Sequence, residues 1–116
     1  MTVKLNSAQR SALKYLAEQQ GDPVIVEQVA AISTYEGQPT MAIVEVDRSL
    51  PKCSIKDGPA PVVAAVVDRE GELAGELIFW VQDGFVDQIE QTWYGDDPPV
   101  SLPSREFIRT YPELGY

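Results

Sequence analysis

The chain has no histidine and only one cysteine, Cys53. Without histidine there can be no Ser-His-Asp or Cys-His nucleophile, none of the usual zinc sites and no imidazole pH switch. One cysteine permits no internal disulfide. Cys53 lies between Lys52 and Lys56, and neighbouring cations favour a reactive thiolate; a loop or strand-end cysteine without a role is the simpler reading. Cations are also scarce, since nine Lys and Arg stand against eighteen Asp and Glu, a formal net charge of −9. That balance disfavours nucleic-acid phosphates and anionic membrane surfaces, which need a cationic footprint. It suits a basic protein, a cationic ligand or a metal ion, and equally suits plain solubility. No apolar run approaches the ~20 residues of a membrane span. The opening residues Met1 to Ser7 lack the apolar core of a secretory signal, so the expected location is cytoplasmic.

What is present describes one ordinary globular domain. At 116 residues, 44% apolar and 23% charged, the chain is long enough for one core and too short for two. Asn6 or Ser7 can cap a helix whose Ala12, Leu13, Leu16 and Ala17 share one side, with Gly21-Asp22-Pro23 ending it. Val24 to Thr34 has two readings. Ile25, Val29 and Ile32 suit a helix face, and Asp22-Pro23 suits its cap and first residue. The β-branched run Val24-Ile25-Val26 tips the expectation toward a strand, followed by a turn at Glu36-Gly37-Gln38-Pro39. From Thr40 to Asp47, alternation places Ala42, Val44 and Val46 opposite Met41, Ile43, Glu45 and Asp47.

Arg48 to Pro61, with three prolines, reads as a surface loop. Val62 to Val67 is apolar on both faces, the pattern of a covered central strand. Leu73 to Val81 alternates, with Leu77, Phe79 and Val81 on one face and Glu76, Ile78 and Trp80 on the other. Asp83-Gly84 is the strongest turn signal, because a type I′ hairpin needs positive φ at both positions. Phe85 to Tyr94 alternates imperfectly, which places a bulge near Asp87-Gln88. Pro98, Pro99 and Pro103 stop sheet pairing, and Ser104 can cap a short last helix through Thr110. The expected fold is α+β: an N-terminal helix on an antiparallel meander of about five strands, then a short C-terminal helix.

Half of the carboxylates lie between Asp68 and Asp97, where Arg69 is the only cation, so this stretch carries eight of the nine net negative charges. Two groups of candidate residues follow. At the end of the last strand, Glu90, Trp93, Tyr94, Asp96 and Asp97 combine acids with large aromatics. Along an exposed sheet face, Glu45, Asp47, Glu76, Asp87 and Glu90 form an acidic row beside Trp80, provided the bulge falls between Asp87 and Glu90. Acids around a tryptophan are the anatomy of an interface for a basic partner; core aromatics and a solvated turn are the alternative. Hard cations need several oxygen ligands, and no Asp-x-Asp-x-Asp-Gly loop is present, so no metal site is assigned. Gly71-Glu72-Leu73-Ala74-Gly75 lacks the Gly-Lys-Ser/Thr of a phosphate loop, so no cofactor is assigned either. Thr110-Tyr111-Pro112-Glu113 reads as a terminal tail.

Four phrases together resemble a set of small uncharacterised bacterial proteins: Val44-Glu45-Val46-Asp47-Arg48-Ser49, Gly75 to Gly84, Gln88-Ile89-Glu90, and Tyr94 to Pro103. Those proteins share an LEVDRS-like strand, a hairpin carrying VxDG and a YGDxPPxxLP segment. The resemblance spans residues 40 to 104 and implies a shared fold without an activity. Relatives often carry a cysteine before the LEVDRS strand, where this chain has Thr34 to Thr40 without one, so no thiol function transfers.

The leading functional expectation is a non-catalytic acidic module of the immunity or inhibitor sort. It would bind a basic protein through Glu76, Trp80, Asp87, Glu90, Trp93, Tyr94, Asp96 and Asp97. A carboxylate-based or metal-dependent hydrolase using Glu90, Asp96 and Asp97 is the second expectation. A homo-oligomeric domain joined through exposed strand edges is the third.

Overall fold

The computed structural model describes residues 1–116. The elements in chain order are β1 (Thr2–Lys4), α1 (Ser7–Glu18), α2 (Pro23–Ala30), β2 (Thr34–Gln38), β3 (Met41–Ile43), β4 (Gly58–Pro59), β5 (Ala64–Val67), β6 (Leu73–Gln82), β7 (Phe85–Trp93) and β8 (Ile108–Arg109). Single 3-10 turns occupy Arg105–Phe107 and Pro112–Leu114. The class is mixed helix and antiparallel sheet.

Helix α1 starts where the sequence places it. The Asn6 side chain accepts from Gln9 N–H at 2.8 Å while Gln9 Oε1 accepts from Asn6 N–H at 2.9 Å, a reciprocal capping box. Ala12, Leu13, Leu16 and Ala17 are its buried face, as the spacing predicts.

Residues 24–34 depart from the strand expectation. They form α2, with Asp22 Oδ1 accepting from Val24 N–H at 3.0 Å and Pro23 in the first turn. Ile25 and Val29 are buried, so the four-residue spacing was the decisive signal. Tertiary burial outweighs a β-propensity worth only about 1 kcal/mol across its whole range. The displaced strand, β2, begins at Thr34 and runs through Glu36 to Gln38, most of the stretch that reads as a turn.

The sheet has eight strands rather than five and is not a simple meander. Its order is β1-β2-β3-β7-β6-β5-β8, all antiparallel, with β4 also paired to β6. Strand β3 therefore pairs with the distant β7, leaving the long hairpin β6–β7 central. The last helix is absent; Ser104 precedes a single 3-10 turn that leads into β8.

The hairpin turn matches its sequence signal, with φ of +53° at Asp83 and +80° at Gly84. Gly75, paired with Trp93, is required for close approach. A Cβ there would lie 2.0 Å from the Thr92 carbonyl oxygen.

Strand alternation divides the molecule. Leu77, Phe79, Val81, Val86 and Ile89 point inward and join one cluster with Leu13, Leu16, Ile25 and Val29 of the helices. Each fully buried side chain of this kind contributes ~1.5–3 kcal/mol. Cys53 belongs to this cluster, so its thiol is buried packing material.

Two buried glutamines tie loops to the core. Gln28 Nε2 donates to Pro51 O at 2.9 Å and Gly84 O at 2.8 Å, and its Oε1 accepts from Val86 N–H at 3.1 Å. Gln91 Nε2 donates to Pro39 O and Ser101 O. No buried side-chain polar atom lacks a partner.

Candidate functional site

The opposite face of the hairpin presents the other half of the alternation. Pairing sets Met41, Glu90 and Ile78 in one row across β3, β7 and β6, and Ile43, Gln88 and Trp80 in the next. Glu36 of β2 continues the second row beyond Ile43. Exposure of 37% at Met41 and 49% at Ile43 shows that no helix covers this side of β3. Ile78, Trp80, Gln88 and Glu90 are half-buried among their cross-strand neighbours. The apolar residues lie in two columns, on β3 and β6, either side of a polar β7. Adjacent strands are ~4.8 Å apart, so the columns stand about 10 Å apart.

The bulge falls where the irregular alternation implies. Trp80 pairs with Gln88 and Val81 with Val86, so β7 skips Asp87. A bulge of this kind lets two successive residues oppose one partner, which returns Asp87 to the side of Gln88 and Glu90. Trp80 Nε1 donates to Glu90 Oε1 at 2.9 Å, fixing both side chains on the face. Glu76 stands beside Thr92, whose hydroxyl accepts from Glu76 N–H at 3.0 Å. Its carboxylate also accepts from the Tyr111 hydroxyl. Burial first, and then that carboxylate, push the Tyr111 phenol well above its ordinary range.

The acidic stretch does not form one face. Asp83 sits at the β6–β7 turn and makes the chain's only ion pair, with Lys52 at 3.0 Å. Glu76, Asp87 and Glu90 lie on the outer face. Asp68, Glu70 and Glu72 at the β5–β6 turn share the other end of the hairpin with Asp96 and Asp97. The eight candidate residues therefore split into an outer-face group of Glu76, Trp80, Asp87 and Glu90 and an end group of Trp93, Tyr94, Asp96 and Asp97. In the end group Trp93 is 41% and Tyr94 56% exposed, and a cleft of about 160 Å³ opens beside them and Asp97. Nowhere do three Asp, Glu or Cys side chains converge as metal ligands would. Glu90 belongs to the outer-face group, whereas Asp96 and Asp97 follow β7 in the end group.

No protein-family model matches the sequence, and no match was found among curated proteins or solved structures. Function has to be read from the surface itself.

Three features add to the site read from the sequence. Alternation already places Met41, Ile43 and Ile78 on their strand faces, and the β3–β7–β6 register brings them together beside the acids. A groove of about 370 Å³ extends the face past Ile43, between Thr2, Ser33, Glu36 and Glu45. The terminal tail is fastened rather than free. Tyr15 Oη donates to Glu113 Oε1 at 2.5 Å and Thr110 N–H donates to the same oxygen at 2.8 Å. Those bonds hold the Glu113 carboxyl down at about 2, Tyr15 contributing most. The Arg105 guanidinium lies 3.7 Å over the Tyr15 ring. No local pattern announces this long-range contact.

Proposed function

We propose that the chain is a cytoplasmic, non-catalytic protein-binding domain of the immunity or inhibitor kind, docking on a basic protein through its outer sheet face. One observation carries this reading: an uncovered face where Met41, Ile43, Ile78 and Trp80 are framed by Glu36, Glu45, Asp87 and Glu90, none of them in an ion pair. Exposed apolar groups among polar ones are the composition of an interface centre and its rim. The tryptophan is a preferred anchor, and unpaired carboxylates steer a cationic partner while rejecting acidic ones.

The chemistry of an enzyme is less well served. The chain offers neither a histidine nor a converging carboxylate trio, and its lone cysteine is buried. Strand-edge self-association has little template, because the edge strands β1 and β8 have only three and two residues.

The test is binding of the basic partner by charge-reversed protein. Glu90→Lys and Asp87→Lys together should weaken the complex by about 2 kcal/mol, roughly thirtyfold, as interface hot spots do. Raising salt should also weaken the wild-type complex, because exposed charges are screened. Equal affinity of wild type and variant at both salt concentrations counts against the face.

A further inference from the structure

The cleft at the far end of the hairpin has a character of its own. Val66, Ala74 and Pro99 supply apolar walls, Trp93 and Tyr94 line it, and Asp97 is its one charged residue. At about 160 Å³ it falls below the ~300–1,000 Å³ typical of small-molecule sites and suits a single side chain. Asp68, Glu70, Glu72 and Asp96 occupy the same end of the sheet, with Arg69 the only cation among them. An anion is thus repelled, and an aliphatic side chain would gain nothing from Asp97. Trp93 and Tyr94 are two of the chain's exposed large apolar residues, and they stand together here.

The geometry points to this cleft as the receptor for one arginine side chain of the partner, its guanidinium paired with Asp97 and placed against the exposed aromatics. Arginine suits the cleft better than lysine. Its planar cation stacks on an aromatic face and can engage a carboxylate through two parallel N–H bonds, whereas an ammonium is compact and more strongly hydrated. None of Met41, Ile43, Ile78, Trp80, Asp87 and Glu90 lines the cleft, so the two surfaces would act as separate points of attachment. The inference rests on the reading of the chain as a binder of a basic protein, but its test needs no partner.

Acetyl-arginine amide, acetyl-lysine amide and acetyl-norleucine amide are titrated separately into the full chain. The indole N–H signals of Trp93 and Trp80 are followed in proton–nitrogen correlation spectra. Trp80, bonded to Glu90 on the outer face, is the internal reference. The arginine amide should move the Trp93 signal saturably and leave Trp80 in place, with the lysine amide weaker and the norleucine amide inert. Asp97→Asn should weaken arginine binding roughly two- to fivefold, the scale of an exposed charged pair, while Asp97→Glu retains it. Asp97 is exposed, so neither change should alter the melting temperature. An unmoved Trp93 signal, or equal shifts from the lysine or norleucine amide, overturns the assignment. The outer-face variant Ile43→Lys separates the two readings, since it should impair partner binding and leave arginine amide binding unchanged.

Discussion

The two faces of the β6–β7 hairpin treat polarity in opposite ways. Inside, the polar side chains are amides, Gln28 and Gln91, buried with their hydrogen bonds made. Outside, the polar side chains include carboxylates, and those of Asp87 and Glu90 remain free of any cation. A buried amide costs little once paired, whereas a buried carboxylate would need both a cation and several donors. The interior therefore uses neutral polar groups to fix loops, and charge stays on the side open to solvent. Apolar residues follow the same division: Phe79 is fully enclosed, while Ile43 is half exposed. The difference separates residues that hold the fold from residues that stay exposed on its surface.

Substitutions on the two faces should diverge sharply. Phe79→Ala, in the centre of the inner face, should cost about 3–5 kcal/mol and be seen as a large drop in denaturation midpoint. Gln28→Leu should come next. It leaves Val86 N–H and Pro51 C=O without their partner, at about 1–3 kcal/mol for each buried group. A denaturant midpoint unchanged by Gln28→Leu would erase the contrast between the faces.

A smaller, local effect belongs to the C-terminal segment. Glu113 has its carboxyl lowered from an ordinary 4.5 to about 2 by bonding to Tyr15 and Thr110. A depressed folded-state value means that its contribution is complete above about 4.5 and is lost as pH falls through about 2. Amide exchange at residues 110–116 should rise across that window in advance of global unfolding, and Glu113→Gln should remove the dependence. Because the group is exposed, the effect on total stability should be slight.

Elements with a local physical signal were legible in the sequence. The Asn6 cap, the Asp83-Gly84 turn, the β6 alternation and the bulge at Asp87 each depend on neighbouring residues, and each lies where those residues point. Strand β1 and strand β8 depend on partners far along the chain, Glu36 and Ala65 among them, so three- and two-residue segments gave no warning. Helix α2 was obscured because β-branched residues and helical spacing coincide in Val24 to Val29. Of the candidate site, the acids and Trp80 could be read on one strand face. Their separation from Trp93, Tyr94, Asp96 and Asp97 came only with the sheet register. The nearby column of Met41 and Ile43 on β3 required the long-range pairing of β3 with β7.

The central claim, that the outer face is the docking surface, is tested most directly by parallel affinity capture from the lysate of the source cells. Wild type, Ile43→Lys and the helix-face control Glu18→Lys, exposed on α1, would be compared at low and high salt. A basic protein retained by wild type and by Glu18→Lys, but lost from Ile43→Lys and at high salt, is the predicted result. Equal retention of the same proteins by wild type and Ile43→Lys would contradict it.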